Sequence, residues 1–192
     1  QDGEDTCYVT TNTQVSLTCE DQGEYQSQGP YIIKYIINDG SEQTYDESFK
    51  FEADSNHEIE YWCYDEVSKE SKHKFKDFIV ESVAPTIESD VDYPKVPSDK
   101  EGYDWYVTTD TEICLDVQDP QPHPVGVNPE SVGCEGIKLD EDYCFTFGED
   151  SYHNLNCWAE DKLGNRETFT QGFIVESQEP TTILSFEGPY YN

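Results

Sequence analysis

Methionine is missing from this chain altogether, and basic residues are scarce. Eleven Lys and Arg stand against 42 Asp and Glu in 192 residues, a formal net charge of -31. That balance excludes nucleic acid and anionic membrane surfaces as partners, because both would be repelled. No apolar run approaches the roughly 18 residues that span a bilayer, so membrane insertion is not expected. No Asn-x-Ser/Thr sequon occurs, and there is no Gly-x-Ser-x-Gly elbow, no His-Glu-x-x-His and no Gly-rich phosphate loop. No catalytic residue can be assigned, and an enzyme is not expected. The initiator is absent too and the chain starts at Gln1, which reads as a processed, secreted chain. An excised piece of a longer protein would look the same.

What the chain has is aromatics, at 14%, and seven cysteines. With no Cys-x-x-Cys and no Cys/His pairs at zinc spacing, the cysteines read as disulfides of an oxidising, extracellular compartment. The apolar residues alternate. Val15, Leu17 and Cys19 flank Ser16 and Thr18; Ile59, Tyr61 and Cys63 do the same before a turn at Asp65. Tyr31 to Ile37 is a longer apolar strand that ends at Asn38-Asp39-Gly40, a hairpin signal. A last strand runs from about His73 to Glu81.

The whole pattern occurs twice. Cys7-Tyr8-Val9-Thr10-Thr11 returns as Trp105-Tyr106-Val107-Thr108-Thr109, and Phe78-Ile79-Val80-Glu81-Ser82 returns as Phe173-Ile174-Val175-Glu176-Ser177. Asp54-Ser55-x-His57 returns as Asp150-Ser151-x-His153, and Phe49 and Phe51 return as Phe145 and Phe147. A period of about 96 residues is a whole domain rather than a solenoid turn. About seven short strands per copy, without an amphipathic helix, predict two tandem all-β immunoglobulin-like sandwiches. The predicted divisions are 1–83, 84–179 and a C-terminal extension, 180–192.

Asp119-Pro120-Gln121-Pro122-His123-Pro124-Val125-Gly126-Val127, followed by Asp150-Ser151, His153-x-Leu155 and Asp161-x-Leu163-Gly164-Asn165, resembles the immunoglobulin-like repeat of archaeal secreted and cell-surface proteins. The resemblance covers nearly the whole chain, twice. The first copy lacks the Pro-His-Pro loop and the Gly-Asn turn. The resemblance implies surface architecture or adhesion, with tandem domains joined by a Pro-Thr segment that opens the next one. It supplies no active site.

Cys19 and Cys63 fall on inward positions of the second and penultimate strands, which matches the inter-sheet bridge of such domains. The equivalent positions of the second copy are Val117 and Ala159. Its four cysteines allow three pairings. Strand parity favours Cys114 with Cys144 and Cys134 with Cys157; proximity favours Cys134 with Cys144 and Cys114 with Cys157. Cys7 is left over at the place of Trp105, either as a buried small hydrophobe or as a thiol that bonds another subunit.

The second copy is preceded by a lead-in, Pro85-Thr86-Ile87 through Tyr93-Pro94, that the first copy lacks. A similar segment stands at the other end, Pro180-Thr181-Thr182-Ile183 through Tyr190-Tyr191-Asn192. A sandwich without its first strand exposes an unpaired edge, and a strand from a neighbour can cover it. The expected function is therefore a structural subunit of an extracellular fibre, sheath or surface lattice. Copies would join head to tail through Thr182, Ile183, Leu184, Ser185, Phe186, Tyr190 and Tyr191. Register is open: Ile183, Ser185 and Glu187 can match Ile87, Ser89 and Val91, or Leu184 and Phe186 can form the core pair. Two other readings stand beside this one. The tail is a connector within a larger adhesin or binding stalk, or it folds back on its own second domain.

Calcium is the one cofactor the acidic residues suggest, at Asp90 with Asp92 or at Asp140, Glu141 and Asp142, without an EF-hand match. No metal residue is assigned from sequence. His57 and His153, at the same place in both copies, suggest a local turn bond, and His123 between two prolines a loop determinant.

Overall fold

The computed structural model describes residues 6–20, 29, 31–52 and 54–188. Alternating β-branched and aromatic residues give strands almost throughout, with one 3-10 turn, Pro129–Ser131, among the described residues. In the first repeat the strands are β1 (Cys7–Val9), β2 (Ile32–Ile37), β3 (Gln43–Thr44), β4 (Ser55–Tyr64) and β5 (Lys74–Val80). They form one sheet in the order β1-β5-β4-β2-β3, with β1 parallel to β5. Asn38 and Asp39 close the β2–β3 hairpin at φ 49° and 56°. Those values suit a two-residue mirror-image turn, which short polar side chains tolerate.

The second repeat adds β6 (Thr86–Val91), β7 (Lys95–Pro97), β8 (Trp105–Val107), β9 (Ile113–Gln118), β10 (Gly133–Cys134), β11 (Cys144–Phe145), β12 (Tyr152–Glu160) and β13 (Arg166–Val175). These make two sheets, β10-β12-β13-β8-β7 and β11-β9-β6. Ile87 and Val91 of β6, Ile113 and Leu115 of β9, and Leu155 and Phe173 of the larger sheet are all buried. This is an immunoglobulin-like β-sandwich core.

The repeat in sequence is a repeat in bonding. Thr10 and Thr108 each donate a backbone N–H to the threonine three residues on, at 3.1 Å. Thr11 N–H donates to Ser82 Oγ at 2.8 Å, as Thr109 does to Ser177 at 2.9 Å. Glu81 N–H donates to Val9 O at 2.8 Å and Glu176 N–H to Val107 O at 2.9 Å.

The spatial units do not follow the sequence halves. The described residues of Gln1–Thr86, Val117–Ser131 and Ala159–Glu167 make one compact unit, and those of Ile87–Asp116, Val132–Trp158 and Thr168–Asn192 the other. Two loops of the second repeat thus belong with the first unit. Both histidines make a local bond, His57 to Ser55 Oγ at 2.6 Å and His153 to Glu149 O at 3.5 Å, and each ring also lies on a phenylalanine. His57 sits 3.9 Å from Phe51 and His153 4.1 Å from Phe147, centroid to centroid. His123 is half-buried in its loop.

Candidate assembly interface

The second repeat shows what a complete copy contains. Its lead-in supplies β6 to β9 in one sheet and β7 to β8 in the other. Among the described residues of the first repeat no strand stands in either corresponding place. β1, the counterpart of β8, is the outer strand of its sheet. The counterpart of β9, residues 15–20, forms no strand at all beyond one bridge, Val15 with Phe49. Ile113 and Phe145 pair at the same point of the second repeat.

That bare segment is nonetheless held extended. Val15 and Phe49 exchange two backbone hydrogen bonds, at 2.8 and 3.2 Å. Four residues on, Cys19 is bonded to Cys63 of β4. Between these anchors Val15, Leu17 and Cys19 alternate with exposed Ser16 and Thr18, as strand residues do. Leu17 packs on the core of Tyr35, Ile59, Phe78 and Val80, but is only half-buried, as is Val15. Their counterparts Ile113 and Leu115 are 0% and 4% exposed. In the second repeat β6 lies beside β9 in its sheet. Beside the segment a cleft of about 400 Å³ is lined by Thr18, Cys19, Ile33, Tyr61 and Cys63.

At the other end, residues 177–188 form no strand. Ile183, Leu184 and Phe186 are 87%, 79% and 64% exposed, and Thr182 and Ser185 are exposed as well. Tyr190 and Tyr191 lie outside the described residues. Pro85, Ile87 and Val91 are buried where the lead-in meets the second repeat, whereas Pro180 is exposed. The described part of the tail adds no strand to its own sheets.

Cysteines join Cys114 to Cys144 and Cys134 to Cys157, each pair directly opposed on neighbouring antiparallel strands. Cys7 is free and exposed. It is thus not a buried hydrophobe: β1 is the outer strand of its sheet among the described residues. The sulfurs of Cys114 and Cys144 approach Glu112, but as a disulfide they are not thiolate ligands. Asp140 Oδ1 accepts the N–H groups of Asp142 and Cys144, at 2.9 and 2.8 Å, so it caps a turn. Asp90 and Asp92 are exposed.

His73 was not singled out by sequence, yet it stacks on Trp62 at 4.2 Å and lies between Glu60 and Glu70, at 2.6 and 2.7 Å. Glu60 first, then Glu70, hold its pKa above the ordinary histidine value.

Among the described residues no helix is long and apolar enough to cross a membrane. No protein-family model matches this chain, and no curated protein does. Among solved structures, the chain is similar to fibronectin(III)-like modules of Clostridium thermocellum CbhA, with 11% sequence identity, a TM-score of 0.43, and coverage of 94% of this chain and 97% of that one.

Proposed function

We propose that this protein is a subunit of an extracellular archaeal surface assembly, a fibre, sheath or lattice, in which copies join head to tail. The strand around Thr182, Ile183, Leu184, Ser185, Phe186, Tyr190 and Tyr191 of one copy covers the bare edge of the next. The observation that carries this reading is the segment from Val15 to Cys19, held extended at both ends and carrying no strand where the second repeat sets β6 against β9. An edge already fixed in strand geometry costs less ordering on binding, and its unpaired backbone groups supply the affinity.

Spacing supports one of the two registers. Val80 and Val175 each end the same strand, and Pro85 and Pro180 each follow five residues later. Counted from the prolines, Thr182, Leu184 and Phe186 take the inward places of Ile87, Ser89 and Val91. Burying Leu184 and Phe186 contributes about 3–6 kcal/mol before ordering costs.

The test is the size and morphology of the purified chain with and without residues 181–192, by light scattering and negative-stain microscopy. Filaments of the full chain, a monomeric truncation and inhibition by added tail peptide support strand donation. Equal, monomeric behaviour of both forms sinks it and leaves a connector within a larger adhesin or binding stalk.

A further inference from the structure

Three carboxylates converge in the first compact unit, away from the acidic clusters that the sequence suggested. Glu81 directly follows β5, Asp119 opens the loop to Val127, and Asp161 heads the turn between β12 and β13. Each places an oxygen within 4.8 Å of the other two. Glu81 is 2% exposed and Asp161 1%.

Their hydrogen bonds can be counted. Glu81 Oε1 accepts Val83 N–H at 2.6 Å, and Oε2 accepts Asn165 Nδ2 at 3.0 Å. Asp161 Oδ1 accepts the N–H groups of Leu163 and Asn165, at 2.8 and 2.9 Å, and Oδ2 accepts Asn165 Nδ2 at 2.7 Å. Asp119 Oδ2 accepts Gly126 N–H, which a left-handed glycine (φ 89°) turns toward it. One oxygen is left over. Asp119 Oδ1 is shut off from solvent and has no hydrogen-bond partner.

A buried acceptor without a donor is rare and costly, and it calls for an explanation such as a bound ion. Buried carboxylates at this separation also repel one another unless a cation or a proton intervenes. Burial pushes the Glu81 carboxyl up to about 7, against the Val83 N–H, and Asp161 and Asp119 add to the rise. The Lys162 ammonium lies against Gly126, on the loop that orients Asp119.

The donors are all carboxylate oxygens, which suit a hard cation rather than zinc or copper. Calcium accepts six to eight oxygens in flexible geometry, whereas magnesium demands a near-ideal octahedron and keeps several of its waters, so an irregular buried carboxylate group suits calcium better. We propose that Glu81, Asp119 and Asp161 bind one calcium ion, with Asp119 Oδ1 as the ligand that nothing else in the structure satisfies. Backbone carbonyls or water would complete its shell. The ion would tie the end of the first repeat to two loops that the chain reaches about 40 and 80 residues later.

The test is a calcium chloride titration of the full chain by calorimetry, with thermal midpoints in calcium, in equal magnesium and in chelator. Asp119→Asn keeps an acceptor for Gly126, and Glu81→Gln removes one charge. Asp90→Asn removes a charge from an exposed site. Expected is one saturable calcium per chain and a higher midpoint in calcium than in magnesium. Asp119→Asn and Glu81→Gln should each weaken binding at least about tenfold, with Asp90→Asn unchanged. Non-saturable uptake, or equal loss in all three variants, would mean adsorption on an acidic surface and overturn the site. So would an inert calcium titration with stability falling as pH rises through about 7, since Glu81 and Asp161 would then share a proton.

Discussion

Glu81 and Glu176 are the same residue in two copies of one motif, in opposite surroundings. Each accepts through Oε1 the N–H two residues on, Val83 at 2.6 Å and Gln178 at 2.9 Å. Glu81 is buried and Glu176 is exposed. The residues after Glu81 go on to build the second repeat, whereas the described residues after Glu176 form no strand. The contrast defines what a second copy of this chain would have to cover.

Leu184→Asp and Phe186→Asp should each weaken head-to-tail assembly about ten- to hundredfold, the equivalent of losing about 1.5–3 kcal/mol of burial. In the proposed register Ile183→Asp falls on the other face of the tail strand and should leave assembly within a few-fold. Sedimentation of assembled material across a concentration series reads all three. Sensitivity at Ile183 with tolerance at Leu184 would reverse the register.

Removing the Cys19–Cys63 bond as a double serine variant should destabilise the chain by about 4 kcal/mol in the loop-entropy model, for a sequence separation of 44. Denaturant titration measures this. Hydrogen exchange gives a finer reading, since the amides of Val15 to Cys19 should lose protection before those of Ile33 to Ile37.

His73 should titrate above the ordinary histidine value of 6.5 in an NMR pH series, because Glu60 and Glu70 flank it. A raised pKa in the folded state means that its contribution is fully present below the unfolded value and fades as pH rises through the folded one. Glu60→Gln should lower the midpoint more than Glu70→Gln. The site is exposed, so the effect on stability is small and screened by salt.

Cys7 should react with a thiol reagent in the native protein, one equivalent per chain, without denaturant. Cys7→Ser should leave folding unchanged. If assembled material contains disulfide-linked dimers that vanish in this variant, Cys7 bonds across subunits as well.

Strand features were legible from sequence because a β-strand has a period of two and leaves its mark locally. Parity alone set Cys114 opposite Cys144, and the hairpin turn stood written in Asn38-Asp39-Gly40. The two-fold repeat itself was visible by comparing one half of the sequence with the other. Features that depend on how separate loops meet left no such mark. Glu81, Asp119 and Asp161 are scattered among 42 acidic residues, and nothing in their spacing distinguishes them. The exposure of Cys7 follows from which strand lies at a sheet edge, which is a property of topology. The local bonds of His57 and His153 were legible in their repeated place after Asp-Ser; the packing of their rings on Phe51 and Phe147 is a tertiary contact that was not.

The bond between Cys19 and Cys63 has a consequence beyond stability. It ties residues 15–20 to β4, and it exists only where thiols oxidise. Inside a reducing cell the receiving edge would lie loose, and under the proposed assembly a tail would find little to grip. Export would then do the timing: the cell would carry the subunit as a harmless monomer, and the outside world would switch on its stickiness.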